Sequence, residues 1–199
     1  MLSCTSKIIE RIVYNELYDF CLFNNLLSHK NSGFKKRDGT INQLINLTNK
    51  IYKGLDDNEE IAVIFLDLSK AFDRVCHSKL LYKLKRIGIR GGLFEWIRSY
   101  LSGRSQRVVY AGKTSEYLEI FASLPQGSIL SPLFFLIYIN DIEENIVCDI
   151  SLFADDVSLM QTFKNTPDLE NIINKDLETL NLKLLLSGTW ILILQNQKC

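Results

Sequence analysis

Two carboxylates sit side by side in the segment SLFADDVSLM (151–160), where Asp155 and Asp156 interrupt an otherwise apolar run. Adjacent like charges repel, and an apolar setting strengthens the repulsion. Two short strands are expected to meet at this pair, yet a plain hairpin turn accounts for it badly. Two-residue hairpin turns need positive φ and favour Asn-Gly or Asp-Gly, whereas Asp-Asp brings no glycine and two charges. A divalent cation would neutralise the pair. Asp67 is the natural third member, because it closes the apolar run IAVIFLD and would be carried to a sheet edge. Taken alone, Asp67 reads more readily as a helix cap, a role Ser69 could also fill. Carboxylates delivered by two strand ends can bind two metal ions, an arrangement used in phosphoryl transfer.

The rest of the composition narrows the cation. Two histidines and five scattered cysteines, none in a Cys-x-x-Cys pair, offer little to zinc. Carboxylate ligands favour a hard cation such as magnesium. Unpaired cysteines of odd number suit reduced thiols in an intracellular protein, nuclear or cytoplasmic. No stretch has the layout of a signal peptide, and the run PLFFLIYI (132–139) is too short to cross a bilayer, so no membrane partner is expected. A length of 199 residues suits one domain or two small lobes, and 47% hydrophobic content supplies a core. Net charge is zero but unevenly spread: from Lys79 to Arg107 eight basic residues face the single acid Glu95, a local +7. Lys79, Lys83, Arg86 and Arg90 recur there at helical spacing. A solvated helix face is the simpler account, and a surface turned toward a polyanion is the alternative.

These residues need elements to hold them. Periodicity predicts helices over 2–27, 41–54, 77–87, 91–101, about 131–145 and 168–186. In the first, Ile8, Ile9, Ile12, Val13, Leu17 and Phe20 form the expected core face. The run 61–68 is β-branched and apolar, a buried strand. QRVVYAG and SEYLEIFAS read as a hairpin turning at Gly112–Lys113. Ser131 and Pro132 read as the cap and first residue of the helix that follows. Helices mixed with antiparallel hairpins imply an α+β fold.

Three segments then fall into a pattern. FLDLSKAFDRV, LPQGSILSPLFFLIYINDI and LFADDVSLM, in this order and at these separations, resemble three core motifs of reverse transcriptases, in the dialect of jockey-type non-LTR retrotransposons. IIERIVYNELYDF resembles the fingers helix of that family, YLSGRSQRVVYAG the segment before the second motif, and the stretch to TWILILQNQKC the closing region of the palm. The resemblance covers essentially the whole chain. It implies the palm of a right-handed polymerase, an antiparallel sheet with packed helices, over 61–199. Partial, mostly helical fingers occupy 1–60, and the thumb is absent.

The resemblance further implies an RNA-directed DNA polymerase that takes an RNA template, a DNA primer and a deoxynucleoside triphosphate (dNTP). Two Mg²⁺ ions, with Mn²⁺ as a substitute, fall to Asp67 and Asp155, with Asp156 a weaker or indirect ligand and the Leu68 carbonyl an added one. Phe72 matches the aromatic gate that selects deoxyribonucleotides, and Gln126 and Gly127 match the loop lining the nucleotide pocket. Asp73, Asn140 and Asp141 match structural positions. Lys35, Lys36 and Arg37, together with Lys83 and Arg86 of the basic stripe, are candidates for template or phosphate contacts. Lys198 is the candidate general acid toward pyrophosphate. The chain departs from the pattern in GFKKRDGT, where Asp38 and Gly39 replace a basic residue and serine, and in WILILQNQKC. Two alternatives stand beside this reading: a catalytically silent nucleic-acid-binding remnant, and a group II intron-type reverse transcriptase or maturase. Oligomeric state is not indicated.

Overall fold

A computed structural model describes residues 4–164, 169–187 and 192–195. In chain order the elements are α1 (Cys4–Phe23), α2 (Thr40–Asp56), β1 (Glu60–Leu68), a 3-10 turn (Phe72–Arg74), α3 (His77–Arg86) and α4 (Gly91–Leu101). Four two-residue strands follow: β2 (Ser105–Gln106), β3 (Val109–Tyr110), β4 (Lys113–Thr114) and β5 (Leu118–Glu119). The chain continues through α5 (Ser131–Ile139), β6 (Asp149–Phe153), β7 (Asp156–Phe163), α6 (Leu169–Ser187) and β8 (Leu192–Gln195). Two compact units interleave along it: Met1–Leu26 with Phe72–Tyr138, and Leu27–Ala71 with Ile139–Cys199.

The second unit is built on a sheet of order β6-β7-β1-β8, antiparallel at every step. Strand periodicity explains its layers. Leu66, Leu68, Ile150, Leu152, Val157 and Leu159 are buried, while the residues alternating with them, Met160 excepted, are half-buried or exposed. Gly54 lets α2 lie close on β1, since a Cβ there would come within 3.0 Å of Ile61 Cδ1. Leu180 and Leu184 bury one stripe of α6. The buried carboxylate of Asp176, on the same helix, accepts the Val147 and Cys148 N–H groups and so fixes the entry to β6. At the start of β6, Asp149 takes Lys30 at 2.6 Å and also Lys50. Against the effect of burial, these two ammoniums hold the Asp149 carboxyl below its usual range.

The first unit is centred on α5. Residues 133–138 are all buried, so this helix is apolar all round, as an internal helix must be. Its cap differs from expectation. The Ser128 hydroxyl accepts the Leu130 and Ser131 N–H groups, whereas the Ser131 hydroxyl donates to the Pro125 carbonyl. The helix also ends at Ile139, short of 145, where turns take over and Asn145 adopts φ 58°.

Helix α1 buries Leu17 as expected but contradicts the rest of the expected core face, most plainly at Ile8, Ile9 and Ile12. Ile8 and Ile12 are 63% and 62% exposed, and the buried set is Glu10, Tyr14, Leu17, Tyr18 and Cys21. Apolar residues lie on more than one side of this helix, so periodicity alone could not rank the faces. The hairpin of β2 to β5 turns at Ala111–Gly112, one residue earlier than expected, with φ of 48° and 74°. Two successive positive φ angles are the pattern of a type I′ turn. The four described cysteines, Cys4, Cys21, Cys76 and Cys148, are free thiols. Among the described residues, no helix is long and apolar enough to cross a membrane.

Candidate catalytic site

The three aspartates meet at one end of the sheet. Strands β1 and β7 pair with Asp67 directly opposite Asp156. Residues so paired project to the same face, with Cβ atoms about 4.5–5.5 Å apart. On the flanking positions Leu66, Leu68 and Val157 point into the core, which anchors Asp67 and Asp156 on the open side. Phe153 pairs with Asp156 across the β6–β7 hairpin, leaving Ala154 and Asp155 as a two-residue connection.

A hairpin turn, set aside on sequence grounds for Asp155–Asp156, is present one residue earlier, at Ala154–Asp155. Its left-handed residue is Ala154 at φ 57°, so neither aspartate carries the strain. Asp155 is then pinned through its backbone, because the Leu68 N–H donates to its carbonyl at 3.1 Å. Beneath the turn runs the loop from Ser28. The Ser32 N–H donates to Leu152 O at 3.0 Å, and the Leu152 N–H donates to Lys30 O at 2.8 Å. Gly33 passes so close that a Cβ on it would lie 2.1 Å from the Ala154 nitrogen. The sequence showed Gly33 only as part of a Gly-Phe pair; its support of the aspartate turn was not visible there.

Charge is unbalanced here. Burial, then the charges of Asp155 and Asp67, push the Asp156 carboxyl above the ordinary carboxylate value of 3.8. Among the described residues, none of the three aspartates has an ion-pair partner. No set of three Asp, Glu, His or Cys side chains among the described residues forms a ready metal cage. Magnesium sites in nucleotide enzymes ordinarily use one or two carboxylates and complete the shell with water and substrate phosphates.

The candidate nucleotide residues gather in the other unit. Phe72 lies in the 3-10 turn, its ring stacked on Phe135 of α5 at 4.9 Å and 19°. Its carbonyl accepts the Leu124 N–H at 2.9 Å, which ties the turn to the Pro-Gln-Gly loop. In that loop the Ser128 N–H donates to Pro125 O at 3.2 Å and Gly127 has φ 78°. This is a type II turn, whose third position requires a residue tolerant of positive φ. Gln126 occupies the exposed second position. It lines a cavity of about 370 Å³ together with Asp73, Arg104, Gln106 and Leu124.

The basic candidates divide. Lys35 turns inward, its ammonium donating to the Ser28 carbonyl; burial pushes its pKa below the ordinary lysine value, against the charges of Asp38 and Glu143. Lys36 and Arg37 are exposed. Lys83 donates to the Tyr138 carbonyl near the end of α5 and lies 5.2 Å from the centre of the Tyr138 ring. Arg86, one turn away, is exposed. Lys198 lies outside the described residues. One residue in this unit was missed altogether: Glu10 of α1, 1% exposed, which accepts hydrogen bonds from Ser128 and Ile129.

An antiparallel sheet with packed helices and paired carboxylates at one end is the palm of a polymerase. Solved structures share this fold. The telomerase of Candida tropicalis, in complex with a fragment of telomeric RNA, matches with a TM-score of 0.63 and 12% identity over 94% of this chain and 33% of that one. The Candida albicans telomerase matches at 0.57 and 16%, over 95% and 35%. The family model described as reverse transcriptase (RNA-dependent DNA polymerase) matches residues 1–199, and the chain belongs to that family. Among its relatives are the RNA-directed DNA polymerase from mobile element jockey of Drosophila funebris, 32% identical, and the probable RNA-directed DNA polymerase from transposon BS of Drosophila melanogaster, 30% identical. Each match covers 80% of this chain, which spans 18% of the relative's length.

Proposed function

We propose that this chain is the palm-bearing part of an RNA-directed DNA polymerase from a jockey-type non-LTR retrotransposon. The reaction joins a dNTP to a primer 3′-hydroxyl on an RNA template. The observation that carries the reading is the placement of Asp67 opposite Asp156, with Asp155 tied by its backbone to the end of β1. A sheet that sets like charges opposite each other loses stability. Such a local conflict is where a functional site is expected.

The donor set fits hard divalent cations. Asp67 and Asp155 would hold two Mg²⁺ ions, with Asp156 an indirect ligand and the Leu68 carbonyl an added one. When bound, such ions lower the pKa of the attacking hydroxyl and neutralise the triphosphate. The protein's own residues orient the reactants. Phe72, braced by Phe135, closes the space beneath the sugar and excludes a 2′-hydroxyl. The turn at Gln126–Gly127 brings backbone close to the base and template. Exposed Arg86 and Arg37 supply phosphate contacts, with Lys36 at the surface beside Arg37; the ammoniums of Lys35 and Lys83 donate to backbone carbonyls and serve the fold.

The test is localisation of Mn²⁺ by paramagnetic broadening of amide signals in the purified chain. Broadening confined to Leu66–Leu68 and Ala154–Val157, lost in Asp67→Asn and in Asp155→Asn, is expected. Broadening elsewhere, or unchanged in both variants, would remove the metal site and the polymerase reading with it.

A further inference from the structure

Glu10 is a charged residue in a place that charge avoids. It lies in the middle of α1, 1% exposed, and no cation pairs with it among the described residues. Removing a carboxylate from water is costly unless hydrogen bonds replace the lost hydration. Three donors do so. The Ser6 hydroxyl reaches one carboxylate oxygen at 3.2 Å, while the Ser128 hydroxyl and the Ile129 N–H both reach the other at 2.8 Å. Charge-assisted hydrogen bonds of this kind are about twice as strong as neutral ones.

Two of these donors lie at the exit of the Pro125–Ser128 turn. Ser128 is held a second time, by the Tyr100 hydroxyl at 2.9 Å, and a third, as acceptor for the start of α5. Upstream, the entry to the turn is held by the bond from the Leu124 N–H to the Phe72 carbonyl. The turn is thus stretched between two posts, Phe72 on one side and Glu10 on the other. Gln126 and Gly127, midway, make no hydrogen bond of their own among the described residues.

We infer that Glu10 is a positioning residue of the nucleotide site, acting through Ser128 and Ile129 to fix where the Gln126–Gly127 turn stands. The inference deepens the polymerase reading and rests on it for the identity of the ligand. What the carboxylate contributes is reach: its outer oxygen must arrive at 2.8 Å from both donors. Its charge strengthens the bonds without being needed for their geometry.

Reach and charge can be separated. Glu10→Gln keeps the reach, because the amide oxygen can accept from Ser128 and Ile129 while the amide nitrogen donates to Ser6. Glu10→Asp keeps the charge and withdraws it by one methylene. Hydrogen exchange of the purified 199-residue chain, read over 124–130, is expected to be unchanged within about threefold in Glu10→Gln and at least tenfold faster in Glu10→Asp. Exchange in β1 and β7 is expected to be the same in both. Equal loosening over 124–130 in both variants, or none in either, would overturn the tether. A second arm adds a dideoxy-terminated DNA primer on an RNA template, Mg²⁺ and the complementary dNTP. Added protection over 124–130 in wild type and Glu10→Gln, reduced in Glu10→Asp, would support the role in nucleotide binding. If the wild-type chain itself gains no protection, the polymerase reading falls and the nucleotide role falls with it, while the tether is still decided by the first arm.

Discussion

At the scale of single residues, the aspartate cluster carries an energetic cost that can be measured without any catalysis. A carboxyl whose pKa is raised by folding keeps its proton in the folded state at a pH where the unfolded chain has already lost it. The folded state is therefore penalised as pH rises from the ordinary carboxylate value through the raised value of Asp156, and the penalty persists at neutral pH. Asp156→Asn should stabilise the chain in metal-free buffer at pH 7 by about 0.2–1 kcal/mol, the range for like charges facing across strands. For a chain of this size that is a rise in Tm of roughly 0.4–4 °C. Thermal melts with and without Mg²⁺ decide it: the gain should shrink when the ion is present, and an Asp156→Asn chain that melts lower would show no repulsion to relieve. Gly33→Ala makes the opposite case, since its Cβ would strike the Ala154 nitrogen. It should destabilise by about 1–3 kcal/mol, the usual cost of overpacking, and displace the Ala154–Asp155 turn, which amide shifts of 153–156 would register. The aspartates were legible in the sequence because two adjacent charges in an apolar run violate a local rule. Glu10 was not, since a charge between Ile9 and Arg11 on an amphipathic helix violates nothing until tertiary structure turns that face inward.

Elements follow the same division between local and distant causes. Strand β1 could be read from its β-branched run, and α4 from its periodicity, because both signals are internal to the segment. The β6–β7 hairpin is local and could be read as two strands meeting at the aspartates, but the placing of β1 between β7 and β8 depends on pairings more than eighty residues apart and left no local trace. The buried face of α1, apart from Leu17, failed for the same reason; the cap of α5 failed locally, the serine accepting the orphan N–H groups lying three residues before the expected one. Helix α3 shows how one stripe of charges serves two purposes. Lys83 satisfies a carbonyl near the C-terminal end of α5, where a cation also complements the helix dipole. Arg86 has no such employment and is the phosphate candidate. Lys83→Met should therefore lower Tm and leave the salt dependence of RNA–DNA duplex binding unchanged. Arg86→Glu should leave Tm unchanged and reduce the slope of log K against log salt by about 1. Binding isotherms across a salt series separate the two, and equal slopes for wild type and Arg86→Glu would make the stripe a solvated face.

For the molecule as a whole, the chain spans 18% of the length of relatives such as the jockey polymerase. Phosphoryl transfer demands reacting atoms within ~3–3.5 Å, and a misplacement of about 1 Å can cost on the order of 10²-fold. The 199 residues alone are therefore expected to extend a DNA primer on an RNA template poorly, and addition of the flanking segments found in the relatives should restore extension. Asp155→Asn is the control in both forms. In the active form, Phe72→Val should raise ribonucleotide use relative to deoxyribonucleotide use; an unchanged ratio would leave Phe72 as packing for Phe135. The hairpin from Ser105 to Glu119 has a separate consequence. Every residue in it is exposed, its ladders are two residues long, and it contains Arg107 and Lys113. Helices α4 and α5 on either side are anchored by buried residues. Trypsin should thus nick the folded chain here first, and the two fragments should remain associated through the core. The tip at Ala111–Gly112 is correspondingly the place where an inserted epitope or fluorophore would be carried without disturbing the rest.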